Sequence, residues 1–365
     1  MAWSLSQIAA ALDAPVEGDG TLPISGAAEP QLARSDQLAL ALTPAYGALL
    51  AQGAARAALL WPGADWRALG LEGAILAPRG RLAMARLTQT LDPGAAFAPG
   101  VHPLALVDPT ARLGVGVSVG PYTVIGAAAV LGDQVKIGPQ VTVSEGAQIG
   151  EGGIVMAGAR IGPRVRIGAR VIVQFNAVIG SDGFSFVTAT LSQAEAARAT
   201  LGQAAPVIPD DPTWHRIHSL GGVEIGNDVE IGAGSTVDAG TIRPTRIGHG
   251  TKLDNLVHVA HNVVLGEHCL LCALVGVAGS TLIGNRVVMG GKSGAGDNLR
   301  IGDDVVLGAG TIALSNVPGG RVMLGYPAMP MAAQIESYKA LRRLPRILRR
   351  LVTGEKPVPN PGESG

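Results

Sequence analysis

Aliphatic residues recur at every sixth position along most of the chain, and this period constrains the fold more than any other feature. The first run contains thirteen consecutive hexads, from Val107 to Ile179. After a break the period returns at Ile225 and continues to Ala313, with one four-residue insertion around the sequence IRPT. A six-residue period fits neither an α-helix nor one long strand, but it is a recorded signature of a parallel β-helix.

Each hexad predicts one short strand followed by a turn. The aliphatic residue points into the coil, and we expect the small residue that follows it, usually glycine, to permit the bend. If three hexads close one turn, about nine coils stack at roughly 4.8 Å each. The sequence therefore predicts a mainly β protein in which neighbouring coils pair edge to edge.

The regions outside the repeat predict a three-part organisation. Residues 1–105 combine a helical spacing of apolar residues with short apolar runs such as LALAL and AALLW, which is typical of a small α/β domain. The β-helix is expected over 106–318, with an excursion at 181–222 that is too long to be an ordinary connection. Residues 319–365 predict C-terminal α-helices, which Pro345 would kink or divide, and a disordered tail.

Composition limits the classes of partner and compartment. Lys plus Arg and Asp plus Glu are equal at 28 each, which gives no reason to expect nucleic acid. The start of the chain resembles no signal peptide, and no apolar run is long enough for a membrane helix, so we expect a cytoplasmic protein with at most peripheral membrane association. The register of Cys269 and Cys272 favours structural cysteines over a redox or zinc site.

The stretch LDNLVHVAHNVVLG, residues 253–266, concentrates polar residues where the repeat needs only small or exposed ones. His261 is the third residue of its hexad and should point outward, where a plain surface histidine is the simpler interpretation. Counting one 18-residue coil onward gives Gly279, and two coils give Asp297 beside Asn298. A neutral imidazole can take a proton from an attacking amine, and the backbone N–H of a glycine can approach an oxyanion, so this pair would suit acyl transfer.

Five pieces of the sequence, taken in order, resemble one known family. They are GDGTLPISGAAE, IGSDGFSFV, IGAGSTVDAGTI, DNLVHVAHNVVLG and GYPAMP. Their combination is similar to the UDP-3-O-acylglucosamine N-acyltransferases, which add the N-linked acyl chain in lipid A and hence lipopolysaccharide biosynthesis. The hexads alone would indicate only the wider group of left-handed β-helix acyltransferases.

The resemblance implies a left-handed β-helix and a homotrimer with active sites between neighbouring subunits. It implies a 3-hydroxyacyl donor carried on the phosphopantetheine of acyl carrier protein, a UDP-3-O-(3-hydroxyacyl)glucosamine acceptor, and no cofactor or metal. His261 would be the general base, and the backbone N–H of Gly279 would help to hold the oxyanion.

The resemblance also implies a set of substrate-binding residues. We expect Asp254, Asn255 and His258 to bind the substrate, and Tyr46 in a uridine-binding N-terminal domain to stack on uracil. Two positions depart from the family pattern. Asn298 stands where many members have a second active-site histidine, and Leu40 stands where an aromatic residue usually partners the tyrosine.

A cationic run near the end of the chain allows two interpretations, a solvated helix face or a dock for the acidic carrier protein. Its members are Lys339, Arg342, Arg343, Arg346, Arg349 and Arg350.

Two other functions stay open on the residues alone. Four of the seven histidines fall within twenty residues, as in a β-helix metalloenzyme resembling γ-class carbonic anhydrase; they are His249, His258, His261 and His268. The other alternative is a non-catalytic β-helix that serves binding or assembly.

Overall fold

The computed structural model describes residues 3–200, 208, 210–325 and 328–353. It divides into two compact units, Met1–Ala96 and Phe97–Gly365, and each is described by itself. The first unit also has short 3-10 helices at Pro30–Leu32 and Leu50–Gln52. Its other elements are β1 (Trp3–Ser4), α1 (Leu5–Leu12), β2 (Val16–Gly18), β3 (Pro23–Ile24), β4 (Gly26–Ala28), β5 (Gln37–Ala41), α2 (Pro44–Gly47), β6 (Ala57–Leu60), β7 (Gly73–Leu76) and α3 (Gly80–Leu91).

The first unit is the small α/β fold that the sequence predicts. Helix α1 starts at a capping box, in which the Ser4 side chain accepts from the Gln7 backbone N–H and the Gln7 side chain accepts from the Ser4 N–H. Five strands form a sheet in the order β2-β7-β6-β5-β4, parallel except for β2. The apolar runs LALAL and AALLW supply the central strands β5 and β6, whose residues are mostly buried.

The second unit begins with strands that follow the first run of hexads. They are β8 (Gly100–Val101), β9 (Leu106–Val107), β10 (Arg112–Leu113), β11 (Ser118–Val119), β12 (Val124–Ile125), β13 (Val130–Leu131), β14 (Lys136–Ile137), β15 (Thr142–Val143), β16 (Gln148–Ile149), β17 (Ile154–Val155), β18 (Arg160–Ile161), β19 (Val165–Ile167), β20 (Ile172–Val173) and β21 (Val178–Asp182).

The excursion carries an antiparallel pair and a helix, and the repeat then resumes. The excursion has β22 (Phe186–Val187), α4 (Gln193–Thr200) and β23 (His215–Arg216). The resumed repeat has β24 (Val223–Ile225), β25 (Glu230–Ile231), β26 (Thr236–Ala239), β27 (Thr245–Ile247), β28 (Lys252–Leu253), β29 (His258–Val259), β30 (Val264–Leu265), β31 (Leu270–Leu271), β32 (Gly276–Val277), β33 (Leu282–Ile283), β34 (Val288–Met289), β35 (Gly294–Ala295), β36 (Arg300–Ile301), β37 (Val306–Leu307), β38 (Ile312–Ala313) and β39 (Val322–Met323).

These strands build three parallel sheets, which we call faces 1, 2 and 3. Among the described residues, face 1 has eleven strands from β8 to β39, face 2 has ten from β9 to β38, and face 3 has nine from β10 to β36. Partners in the undisturbed part lie 18 residues apart, as Val119 and Ile137 do. The aliphatic residues of the hexads fill one continuous interior core. The predicted left-handed parallel β-helix is confirmed.

The structure corrects our reason for the glycines of the repeat. A Cβ on Gly120 would lie 2.8 Å from the carbonyl carbon of Gly138, and one on Gly248 would lie 2.5 Å from that of Gly266. Glycine at the second position of a hexad therefore permits close stacking of successive coils rather than the bend. The bend is made at the fourth position, where even non-glycine residues such as Asn262 adopt a left-handed backbone, with φ of 62°.

Each coil turns through three corners, and both interruptions of the repeat fall at the same one. The excursion leaves after β21 on face 2 and returns to β24 on face 3. The IRPT insertion lies between β26 and β27, again between faces 2 and 3. We call this edge corner 2–3, and name corners 1–2 and 3–1 in the same way.

The C-terminal part contains one described helix, α5 (Met331–Thr353). Pro345 lies inside it, so of the two effects expected of this proline, a kink or a division into two helices, the division does not occur. The predicted apolar face is present but exposed; its members are Leu341, Leu344, Leu348 and Leu351. The predicted disordered tail lies outside the described residues. No helix in the described part of the chain has the length and apolar character needed to cross a bilayer.

Candidate active site

His261 lies at corner 2–3, half-buried, in the turn that follows β29. Two glycines from distant parts of the chain approach its ring. A Cβ on Gly279 would lie 2.7 Å from Cε1 and 2.9 Å from Nε2, and a Cβ on Gly183 would lie 2.9 Å from Cγ and Cδ2. Real Cβ atoms essentially never come this close, so both positions need glycine for the imidazole to fit where it does.

Asn262 fixes the other edge of the imidazole. Its Oδ1 accepts from the backbone N–H of Thr241 at 2.7 Å, which settles the orientation of the amide. Its Nδ2 donates to Thr241 Oγ1 and lies 3.1 Å from Nδ1 of His261. An amide nitrogen can only donate, so Nδ1 accepts in the neutral ring and the hydrogen sits on Nε2. The Cε1–Nε2 edge faces Gly279.

Gly279 lies one coil beyond His261, as the register count predicts. His258 pairs with Gly276 between β29 and β32, and the N–H of Ser280 donates to the carbonyl of His261 at 2.9 Å. Within the described ranges, the backbone N–H of Gly279 has no hydrogen-bond partner. This N–H therefore remains available to a ligand beside the imidazole.

Asn298 lies one coil beyond Gly279 on the same corner. Its N–H donates to the carbonyl of Gly279 at 3.0 Å, and its side chain is exposed beside Asp297. Its backbone is left-handed, with φ of 59°, a conformation that asparagine tolerates well. Asn298 is therefore suited to the turn by its backbone conformation, and its exposed side chain can contact a ligand.

A buried carboxylate stands behind His258 on face 2. Asp238 lies one coil earlier, its side chain only 6% exposed, with Oδ2 3.5 Å from Nε2 of His258. Its Oδ1 accepts from Ser181 Oγ at 2.8 Å. Burial raises the pKa of Asp238 above its ordinary value, and the Ser181 hydrogen bond and the nearby charges of His258 and His261 offset this only in part. Both imidazoles thus lie within electrostatic reach of one carboxyl group.

Two of the expected substrate-binding residues lie at a different corner from His261. Asp254 and Asn255 occupy corner 1–2, before β29, whereas His261 lies at corner 2–3, after β29. Asp254 Oδ2 accepts from the Ala273 N–H at 2.9 Å, and Asn255 Oδ1 accepts from the Ala233 N–H at 2.7 Å. Both side chains thus cap neighbouring coils, and a single chain does not bring them to His261.

The nucleotide-binding candidates lie in the first unit. Tyr46 belongs to α2, which Thr43 caps, and is 51% exposed. Leu40 lies on β5 and packs beside the core of this unit. The indole of Trp61 reaches the residue next to Tyr46, because a Cβ on Gly47 would lie 2.7 Å from Trp61 Cη2. An exposed phenol and an indole therefore sit beside the same short helix.

The four histidines that suggested a metal site separate into two pairs. His258 and His261 belong to face 2 and corner 2–3, whereas His249 and His268 lie at corner 3–1. His249 accepts from the backbone N–H of Asn227 at 2.8 Å. In the part of the chain that the structure describes, no group of three or more His, Cys, Asp or Glu residues could hold a metal ion.

Sequence reasoning gave no role to four residues of this site. Gly183 packs against the imidazole and its N–H donates to the buried Ser219 Oγ at 2.9 Å, while Asp238 and Asn262 supply the polar environment. Three of them lie within pieces that carry the family resemblance, so those pieces were the available signal. The hexad period could not predict the contact with Gly183, because the excursion leaves the register.

The parallel β-helix of hexapeptide repeats places the chain in the class of hexapeptide-repeat acyltransferases. Among solved structures, an Arabidopsis UDP-N-acetylglucosamine acyltransferase is 25% identical and has a TM-score of 0.50, covering 62% of this chain and 71% of its own. No protein-family model matches the chain.

Comparison with curated relatives identifies the family within this class. A UDP-3-O-acylglucosamine N-acyltransferase of Ruegeria pomeroyi is 56% identical over 364 residues, which is 100% of both chains. One from Paracoccus denitrificans is 51% identical over 75% of this chain and 74% of its own. The chain belongs to the UDP-3-O-acylglucosamine N-acyltransferase family, as its sequence motifs indicated.

Proposed function

We propose that this protein transfers a 3-hydroxyacyl chain from acyl carrier protein to the 2-amine of UDP-3-O-(3-hydroxyacyl)glucosamine, in the cytoplasm and as a step of lipid A biosynthesis. The observation that carries the proposal is the 56% identity, over the full length of both chains, to a relative of that name. The surroundings of His261 support it, because they offer a proton acceptor and a backbone donor side by side.

In the proposed reaction the amine nitrogen attacks the thioester carbonyl carbon. The C–N bond forms as the carbonyl π electrons move to oxygen, where the N–H of Gly279 would stabilise the charge. His261 takes the proton from the attacking nitrogen. The C–S bond then breaks, and the departing sulfur receives that proton, so that amide and free thiol are the products.

The proposed base needs a lone pair on Nε2, the nitrogen nearer to Gly279. In the neutral tautomer that this contact favours, the Asn262 amide donates to Nδ1 and the hydrogen sits on Nε2. That hydrogen has to pass to Nδ1, or the ring has to turn, before Nε2 can accept a proton. Asn262 therefore controls how readily His261 acts as the base.

We propose a homotrimer in which neighbouring copies complete the substrate site. Asp254 and Asn255 lie on a different corner from His261, so the corner 1–2 of one copy would have to meet the corner 2–3 of the next. The exposed apolar face of α5 also supports assembly, since its leucines have no cover among the described residues. Tyr46 and Trp61 would receive the uracil of the acceptor.

The donor would dock on the cationic side of α5. The helix carries its Lys and Arg run without an intervening acid, and Arg342 stacks 5.9 Å from the centroid of Tyr338. Acyl carrier protein is acidic, so the two surfaces are complementary in charge. The phosphopantetheine arm would then carry the thioester towards His261.

The function is tested by incubating purified protein with the acyl-carrier donor and the UDP-linked amine, and identifying the product by mass spectrometry. An N-acylated sugar nucleotide is expected from the unaltered protein. His261→Ala should lower kcat by about 10²–10⁴-fold. The matched control is His268→Gln, at corner 3–1, which should keep full activity. Light scattering must give the same molar mass for all three proteins.

A product from the unaltered protein together with near-normal turnover by His261→Ala would remove His261 from the role of base. Absence of any N-acylated product from the unaltered protein would refute the proposed function itself.

A further inference from the structure

The two outward-facing histidines of β29 and its turn have opposite partners. His258 faces the carboxylate of Asp238, whose Oδ2 lies 3.5 Å from Nε2. His261 faces the amide nitrogen of Asn262, which lies 3.1 Å from Nδ1. A carboxylate stabilises the protonated imidazole, and a hydrogen-bond donor at Nδ1 opposes it. Of the two imidazoles, His258 is therefore the one whose partner can compensate a positive charge.

Other groups near Asp238 come from β21 and the excursion. Ser181 donates to the other carboxylate oxygen of Asp238. Asp182 follows Ser181 on β21, and its Oδ2 lies 3.7 Å from Nη1 of Arg216 in the excursion. The next coil offers Gly276, where an added Cβ would meet nothing within 4 Å. The His258 side chain is 51% exposed, so a substrate group can reach it.

In the proposed reaction the substrate nitrogen loses two protons, and His261 removes only one of them. A sugar amine titrates near the α-amino range of about 7.7–8.0, so at neutral pH much of the acceptor is an ammonium ion without a lone pair. One proton must leave before the attack, and a second leaves the nitrogen as the amide forms. The second returns to the departing sulfur, whereas the first has to be held elsewhere and released to solvent.

We infer that His258 and Asp238 form a second acid–base pair, in which His258 accepts the proton of the substrate ammonium and Asp238 positions and compensates the resulting imidazolium. The inference rests on the proposed function. In this step one N–H bond of the ammonium breaks, its electron pair stays on nitrogen, and one N–H bond forms on the imidazole. The half-exposed ring then passes the proton to water, while His261 remains free for the attack.

The pair is tested by measuring kcat/KM for the UDP-linked amine between pH 6.5 and pH 9 with His258→Gln and Asp238→Asn. Without the pair only the free amine reacts, and about 5% of an amine with a pKa near 7.8 is free at pH 6.5. The loss caused by His258→Gln should therefore be larger at pH 6.5 than at pH 9, by at most about 20-fold, because only a neutral His258 can accept the proton. Asp238→Asn keeps the acceptor oxygen for Ser181 and should move the profile in the same direction.

His268→Gln is the matched control and should reproduce the unaltered profile. A His258→Gln loss that is equal at every pH would overturn the inference, since a structural or substrate-contact role predicts it. An Asp238→Asn profile identical to that of the unaltered protein would remove Asp238 from the pair. Both results presuppose product from the unaltered protein, so they are distinct from failure of the proposed function.

Discussion

The close approach of Gly279 to His261 gives the sharpest prediction for this site. The backbone of Gly279 does not have a positive φ, so alanine is allowed there and Gly279→Ala tests contact alone. The new Cβ would lie 2.7 Å from Cε1. Because carbon atoms pack at about 3.5 Å, the ring has to move by roughly 0.8 Å. Gly183 lies at the other end of the ring and limits this movement.

A displacement of that size at the reacting group is worth about 10²-fold in rate. We therefore expect Gly279→Ala to lower kcat by about 10²-fold and to cost about 1–3 kcal/mol of stability through overpacking. Steady-state kinetics with both substrates and thermal unfolding measure the two effects. Alanine keeps the backbone N–H, so the loss reports the position of the imidazole and not the missing donor.

The matched control is Gly26→Ala, on the edge strand β4 of the first unit. Its Cβ would meet only Nε2 of Gln37, at 4.0 Å, which is an ordinary contact. This variant should be active and stable. If Gly279→Ala keeps kcat within about threefold of the unaltered protein, the imidazole does not need the position that the structure gives it, and the reasoning fails.

Two further predictions concern Asn262 and the cationic side of α5. Asn262→Asp replaces the donor at Nδ1 of His261 by an acceptor and keeps the oxygen for Thr241, so the imidazolium gains a partner. The acid limb of the kcat/KM profile for the amine should then move by roughly one pH unit towards higher pH, and an unchanged limb would show that Asn262 does not govern the protonation of the base. Charge reversal at Arg342, Arg346 and Arg349 should raise the KM for the carrier-bound donor about tenfold or more and leave the KM for the sugar nucleotide unchanged. Equal KM values before and after the reversal would mean that this side of α5 is merely solvated.

The repeat was predictable because each hexad is governed by local rules. An aliphatic residue every six positions has to be buried, and short strands stacked in a parallel coil bury all of them at once. The helix at Leu5–Leu12 was predictable for the same kind of reason, with its cap and apolar spacing in one short segment. The effect of Pro345 was only partly predictable, because the chain continues as one helix and is not divided in spite of the missing N–H.

The sequence alone determined the β-helix, the outward position of His261 and the glycine one coil beyond it, because these depend only on counting residues along a regular repeat. The tertiary structure decided what surrounds the imidazole. Gly183 comes from an excursion that obeys no period, and Asp238 reaches His258 across coils whose register a bulge and an insertion have shifted. Contacts between irregular segments depend on where the chain returns in space, and no local pattern records that.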